Sequence, residues 1–329
     1  MNPYVVDRYT EQITTEIAEA FGVARTDLTD LGGFEAFVYE FSFAGEPAIL
    51  KVSHSDRRSP AMLRSEAVFT RFLQGQGISV ASVILSPSGN EVETVEDGHG
   101  AAFLGVAWTR APGERAEHQM IDTDYWHEHG RVLGRMHVAT QQFTNAEPWF
   151  SRPHWDSPVH LADSLHIPDT DPAARSEVQR LLAERRSLPT DTKTYGLVHM
   201  DAHNGNSFWD GATVTLIDFD DCGYSWYADD LAIVMYYGLR AFDDPTTAAE
   251  TIWPAFIAGY QEEHRLDRAW FSHFPAFLSW RDHLLYSIVH RSLQDDDEFD
   301  VDAWVERFHR RQAGGGSIID YDFTTGVIG

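Results

Sequence analysis

Between residues 195 and 221 the chain reads "YGLVHMDAHNGNSFWDGATVTLIDFDD". The side chains that could do chemistry there are His199, His203, Asn206 and the carboxylates of Asp201, Asp218, Asp220 and Asp221. Four acids brought close in a fold repel one another unless something offsets their charge. A metal ion, a phosphate-bearing ligand or a catalytic proton transfer would each account for such a cluster.

The stretches "SFW" and "TVTLI" flank Asp210-Gly211, a pair suited to a tight turn, and predict a β-hairpin. Asn206 comes just before one arm and Asp218 just after the other, so both emerge at the same end. Two oxygen ligands there can grip Mg2+, which takes few protein groups and fills its remaining positions with phosphate oxygens and water. Asp201, in the preceding loop, is then placed to accept a proton from an attacking hydroxyl. The spacing His199-x-Asp201-x-x-x-x-Asn206, followed by Asp218-Phe219-Asp220, matches the catalytic loop H-x-D-x-x-x-x-N and D-F-x metal site of kinases. A second reading takes His199, Asp201, His203 and Asp218 as the metal cluster of a hydrolase, but leaves Asn206 without a task.

A phosphate-handling site also needs a cation, and the chain contains only two lysines, Lys51 and Lys193, among its 25 basic residues. Lys51 lies in "AILKV", a strand-like context matching that of the phosphate-binding lysine of kinases. Glu66, in the first helix expected after the strands, is its natural ion-pair partner.

The elements that must position these groups fall into two parts. Residues 8 to 21 read as a helix, with Ile13, Ile17 and Phe21 at helical spacing. "LGGFEAFVYEFSFAGEPAILKVS" reads as strands about a turn, and Ser59-Pro60 opens a helix expected over 60 to 74. Strand-like pieces follow near 82–85 and 101–109. Beyond them helices are expected over 124–141, 172–187, 228–241, 246–263, 274–294 and 302–312, with the quoted hairpin as the single β element among them. The fold class is therefore α+β: a small antiparallel-sheet lobe with one main helix over residues 1–107, and a larger, mostly helical lobe over 108–329. "AGGGS" at 313–317 is the one stretch of flexible composition.

Composition narrows the function. The net charge of -26 argues against nucleic acid or an anionic membrane as partner. No apolar run of eighteen residues and no secretory leader is found, and the single cysteine, Cys222, cannot form an internal disulfide. A cytoplasmic location is expected.

With "LGGFEAFVYEF", "ILKV", Glu66, "APGE", "LGRMH", "HMDAHNGN", "LIDFDD" and "DDLA" in order along the sequence, the chain resembles the aminoglycoside phosphotransferase and choline kinase family, whose fold is related to that of protein kinases. The resemblance implies Asp201 as catalytic base, Asn206 and Asp218 as Mg2+ ligands, and Lys51, fixed by Glu66, on the nucleotide phosphates. It further implies Gly32 and Gly33 over the phosphates, Ala107, Trp108 and Thr109 as the hinge segment presenting backbone groups to adenine, and Asp230 as a brace for the catalytic loop. Asp220 or Asp221 either helps a second metal, faces the acceptor or lies in a solvated turn. Arg152, His154 and Trp155 in "RPHWD" either border the acceptor pocket or form a connector with Trp155 packed inward, and Arg281 is a further acceptor candidate. His199 is expected to be structural. No A-P-E activation segment follows Asp218, which favours a small-molecule kinase over a protein kinase of the same family. The expected reaction is transfer of the γ-phosphate of ATP or GTP, with Mg2+, to a hydroxyl of an amino sugar, amino alcohol or homoserine-like acceptor.

Overall fold

A computed structural model describes residues 3–117, 119–145, 147–158, 160–161, 166–293, 300–314 and 318–328. Residues 315–317 of the glycine-rich stretch lie outside the described residues. The chain forms two compact units, one of residues 1–112 and 144–152, the other of residues 113–143 and 153–329.

The first unit is an antiparallel sheet with helices. Its strands are β1 (Thr29–Gly32), β2 (Phe37–Phe43), β3 (Glu46–His54), β4 (Val83–Ile84), β5 (Glu93–Glu96) and β6 (Ala102–Thr109), in the order β1-β2-β3-β6-β4 with β5 also on β6. Phe41, Leu50, Val52 and Phe103 share one buried cluster with Ile13, Ile17 and Phe21. The β2–β3 connection is a two-residue turn in which Ala44 and Gly45 both have positive φ (52° and 89°), the twist that suits a tight hairpin.

The helix expected over 8–21 is present but starts later, at Glu11. Helix α1 (Pro3–Arg8) ends first, and α2 (Glu11–Ala20) begins afresh because the Thr10 hydroxyl accepts the Ile13 N–H at 3.3 Å, capping a new N-terminus. Ser59 caps α3 (Pro60–Gly75) in the same way, accepting from Met62 N–H at 3.2 Å.

The second unit holds α4 (Thr123–Thr140), α5 (Pro172–Arg186), α6 (Tyr227–Arg240), α7 (Pro245–Glu263), α8 (Phe274–Ser292) and α9 (Val301–Ala313). Its β content exceeds the single hairpin expected. The hairpin itself is β9 (Ser207–Trp209) with β10 (Val214–Leu216), and β7 (Glu114–Arg115) adds to β9. Separately, β8 (Tyr195–Val198) pairs antiparallel with β11 (Gly223–Trp226), Val198 opposite Gly223 and Tyr195 opposite Trp226. Both strands have four residues and each contains a glycine, so neither shows the alternation that marks a strand in sequence. Among the described residues no helix is long and apolar enough to cross a membrane.

Helices α4 and α7 approach through glycine. A Cβ on Gly130 would lie 2.0 Å from the Phe256 carbonyl oxygen, and one on Gly259 would lie 1.9 Å from the His127 carbonyl oxygen. No side chain can yield at either point, because backbone meets backbone. Gly259→Ala is therefore expected to force the helices apart and to destabilise the protein by roughly 3 kcal/mol, a loss that urea denaturation followed by circular dichroism would measure.

Candidate active site

The loop between β8 and β9 is held from beneath. Asp230, near the start of α6 and fully buried, accepts the Met200 N–H on Oδ1 at 2.7 Å. Its Oδ2 meets His137 Nε2 at 3.1 Å, His137 Nδ1 meets the Tyr260 hydroxyl at 3.0 Å, that hydroxyl meets His264 Nδ1 at 3.0 Å, and His264 Nε2 meets the Gln141 amide nitrogen at 2.9 Å. One assignment of protons satisfies every member: Gln141 donates to His264, His264 Nδ1–H to Tyr260, Tyr260 O–H to His137, and His137 Nε2–H to Asp230. The brace expected of Asp230 is thus present and continues through four further residues, two in helices and two at helix C-caps.

Met200 pays for its place in the loop with a left-handed backbone, φ 62°, and Asp218 at the other end of the hairpin does the same, φ 62° and ψ 63°. His199 is structural, as expected. It is fully buried against Phe219, its Nε2–H donates to the Ile217 carbonyl at 3.0 Å, and its Nδ1 accepts the Asp201 N–H at 3.3 Å. With both ring nitrogens committed to backbone, His199 has none left for a metal, and the hydrolase cluster loses its first ligand. Among the described residues no group of three or more His, Cys, Asp or Glu side chains is arranged to hold a metal.

The Asp201 carboxylate is held on both oxygens. Oδ1 takes the Arg281 guanidinium, and Oδ2 accepts from the Asn206 amide nitrogen at 3.0 Å with His203 Nε2 at 3.5 Å. Burial alone would raise the Asp201 pKa, but the Arg281 guanidinium, followed by His203, outweighs it and keeps the carboxyl well below the usual carboxylate range. Arg281, on α8, is itself anchored by Tyr237 on α6: Nε and Nη2 lie 3.2 and 2.9 Å from the tyrosine hydroxyl, and the guanidinium stands 5.0 Å from its ring centre. His203 packs on the same ring at 4.5 Å. Asp221 adds a second negative charge near Arg281.

Asn206 spends its amide nitrogen on Asp201, on the carbonyl as well as the carboxylate, each at 3.0 Å. Its amide oxygen is the group left for a cation. Asp218 is exposed at the same hairpin end, just after β10. An amide oxygen and a carboxylate make a hard, sparse donor set that fits Mg2+ and leaves most of its shell for phosphate and water. Asp220, by contrast, is buried.

In the first unit, Lys51 stands half-buried in the middle of β3, opposite Val38 on β2 and Val106 on β6, and Glu66 is buried on α3. Gly32 and Gly33 both have positive φ (75° and 152°), and a Cβ on Gly33 would meet the Ala36 carbonyl oxygen at 2.0 Å, so that bend admits only glycine. Ala107 and Trp108 sit inside the ladder, and the Thr109 N–H already donates to the Ser82 carbonyl at 2.8 Å. Arg152 is buried in this unit and reaches the Met62 carbonyl at 3.1 Å.

His154 and Trp155 belong to the second unit and run beside β11, where His154 bridges to Tyr224 and the Trp155 N–H donates to the Tyr224 carbonyl at 2.9 Å. His154 stacks on Tyr224 at 4.7 Å, while Trp155 is packed inward against Trp226 and over the buried guanidinium of Arg185. A cavity of about 490 Å3 opens there, lined among others by His154, Trp155, Tyr195, Tyr224 and Trp226 and by none of Asp201, Asn206 or Asp218. Sequence reasoning missed Tyr237, although its seven-residue spacing from Asp230 on one helix puts the two on the same face.

Comparison with known proteins agrees in kind. The sequence pattern of the APH phosphotransferase enzyme family matches residues 28–274. An amicoumacin kinase of Bacillus subtilis (strain 168) is 34% identical over 325 residues, covering 95% of each chain. An amicoumacin kinase solved in complex with AMP-PNP, Ca2+ and Ami superposes with a TM-score of 0.91 at 31% identity, over 98% of this chain and 99% of that one. A microcompartment-associated aminopropanol kinase shares the fold, with a TM-score of 0.75 at 21% identity over 93% and 98% of the two chains.

The buried relay has a measurable consequence. Burial, with His137 nearby, lowers the His264 pKa from 6.5 to about 4, and burial lowers that of His129 to about 3. Below pH 6.5 the unfolded chain binds protons that the folded chain refuses, so stability falls as the pH drops from 6.5 towards 4. Unfolding free energies measured at pH 7, 6 and 5 should decline in that order, and His264→Gln should flatten the slope.

Proposed function

The chain belongs to the phosphotransferase enzyme family, and we propose that it transfers the γ-phosphate of ATP or GTP, with Mg2+, to a hydroxyl group of a small molecule. The observation that carries this reading is the Asp201 carboxylate, ionised and held on both oxygens in a loop that Asp230 pins, beside an amide oxygen and a carboxylate at one hairpin end.

The acceptor hydroxyl oxygen attacks the γ-phosphorus, the bond to the β–γ bridging oxygen breaks, and the hydroxyl proton passes to Asp201. Asp201 first orients the hydroxyl; Arg281 and Asn206 keep its carboxylate from turning. Asn206 and Asp218 would hold Mg2+, which would supply positive charge to offset that of the phosphates. Lys51, fixed by Glu66, is assigned the α- and β-phosphates and Gly32 and Gly33 the bend over them; an adenine contact from the 107–109 segment does not run through the Ala107 and Trp108 backbone or the Thr109 N–H, which the sheet already takes. Catalysis of this kind is mostly positioning and electrostatics. A nucleotide donor suits a cytoplasmic enzyme.

For the acceptor, full-length similarity to an amicoumacin kinase puts amicoumacin first, ahead of aminoglycosides, amino alcohols and homoserine. A protein substrate ranks behind them, because no activation segment ending in A-P-E follows Asp218. The test is transfer from γ-labelled ATP and GTP to a panel of these acceptors in the presence of Mg2+. Transfer to at least one is expected, and Asp201→Asn should lower kcat by about 10²–10⁴-fold while nucleotide still binds. No transfer to any acceptor, together with no nucleotide binding, would sink the proposal.

A further inference from the structure

We propose that Arg281 selects the acceptor: the hydroxyl phosphorylated at Asp201 is flanked by an oxygen that accepts hydrogen bonds, as in a hydroxy-amide or hydroxy-acid, and not by an ammonium group. This deepens the kinase reading and rests on it.

The argument is a count of donors on one fork. A guanidinium carries five N–H groups in fixed directions and no acceptor. In Arg281, Nε–H and one hydrogen of Nη2 go to the Tyr237 hydroxyl, and the other hydrogen of Nη2 goes to Asp201 Oδ1. The two hydrogens of Nη1 make no hydrogen bond among the described residues. The side chain is held rigidly, between the Tyr237 ring at 5.0 Å and the Asp201 carboxylate, yet it remains 14% exposed, and Asp201 20%.

A hydroxyl handing its proton to Asp201 must stand within hydrogen-bond reach of a carboxylate oxygen. Oδ2 serves Asn206 and lies beside His203, whereas Oδ1 has one hydrogen-bond partner, Arg281, among the described residues, so a hydroxyl is taken to meet Oδ1 beside the guanidinium. The substituent on the carbon next to the reacting hydroxyl then lies within reach of Nη1. A carbonyl or carboxylate oxygen there completes the fork with a charge-assisted hydrogen bond. An ammonium there meets donors with donors and, even with the Asp221 charge nearby, leaves Nη1 without an acceptor.

Lactamide and 1-amino-2-propanol share a carbon skeleton and a secondary hydroxyl, and differ at the flanking carbon, which makes them the test pair. Phosphate transfer to each is measured with the full-length protein, its Arg281→Met variant and its Arg281→Lys variant, alongside amicoumacin and the rest of the panel. In the unmodified protein kcat/KM for lactamide should exceed that for 1-amino-2-propanol by on the order of tenfold or more. In Arg281→Met the two values should converge, with thermal unfolding showing that the variant folds. Arg281→Lys keeps the charge but not the fork, and should recover only part of the preference; it also decides the case if the methionine variant fails to fold. Equal or better use of the amino alcohol by the unmodified protein, or a preference that survives loss of the guanidinium, overturns the inference. Should neither small acceptor be labelled, the same comparison is read from their inhibition of transfer to the best panel acceptor. Failure of every acceptor overturns the kinase reading itself, a result distinct from a misplaced preference.

Discussion

A single hydrogen bond, from the Met200 N–H to the Asp230 carboxylate at 2.7 Å, fixes where the candidate base can be. The residue before Asp201 is left-handed, a backbone state that costs an ordinary side chain about 1–2 kcal/mol and is kept only where neighbours impose it. A charge-assisted bond in a fully buried setting is strong enough to impose it. The second oxygen of Asp230 is satisfied as well, because His137, Tyr260 and His264 carry its hydrogen bonding outward from α4 and α7 without a buried donor or acceptor left over. The close approach of those two helices at Gly130 and Gly259 is what allows the tyrosine and histidines to meet.

With the loop fixed from below, the crowding of acids above it becomes intelligible. Asp201 is neutralised by a guanidinium on α8, Asp221 contributes to the same balance, Asp220 turns inward, and Asp218 alone stands exposed where a divalent ion would join it. Asp201 is thus offset by an organic cation supplied by the protein, and Asp218 is the exposed carboxylate that the proposed metal would use. That arrangement keeps Asp201 ionised and leaves one exposed carboxylate at the hairpin end.

The sequence made the spacing of the chemistry readable because Asp201, Asn206 and Asp218 are local: one loop and one hairpin set their geometry. Asp230 and the capped start of α3 were equally readable, each from a short motif with its own physical cause. Contacts made by tertiary packing were not. Tyr237 and Arg281 come together only because α6 packs on α8, and nothing in either helix's own pattern announces the pair. The relay from His137 to His264 joins residues more than a hundred positions apart. Local competition defeated two further readings. Thr10, as a cap, set the start of the second helix later than expected, and the glycines at 196 and 223 concealed a two-stranded sheet. "RPHWD" reads as one loop, yet Arg152 joins the first unit while His154 and Trp155 turn into the second.

The scarcity of lysine has an outcome for chemical labelling. Lys193 is exposed in a loop before β8, whereas Lys51 is half-buried in the sheet. An acylating reagent that modifies amines therefore finds two side chains of very different accessibility, in an otherwise arginine-based protein that it ignores. Peptide mass analysis would read Lys193 as an internal standard for reagent dose, and Lys51 as a footprint of whatever covers it.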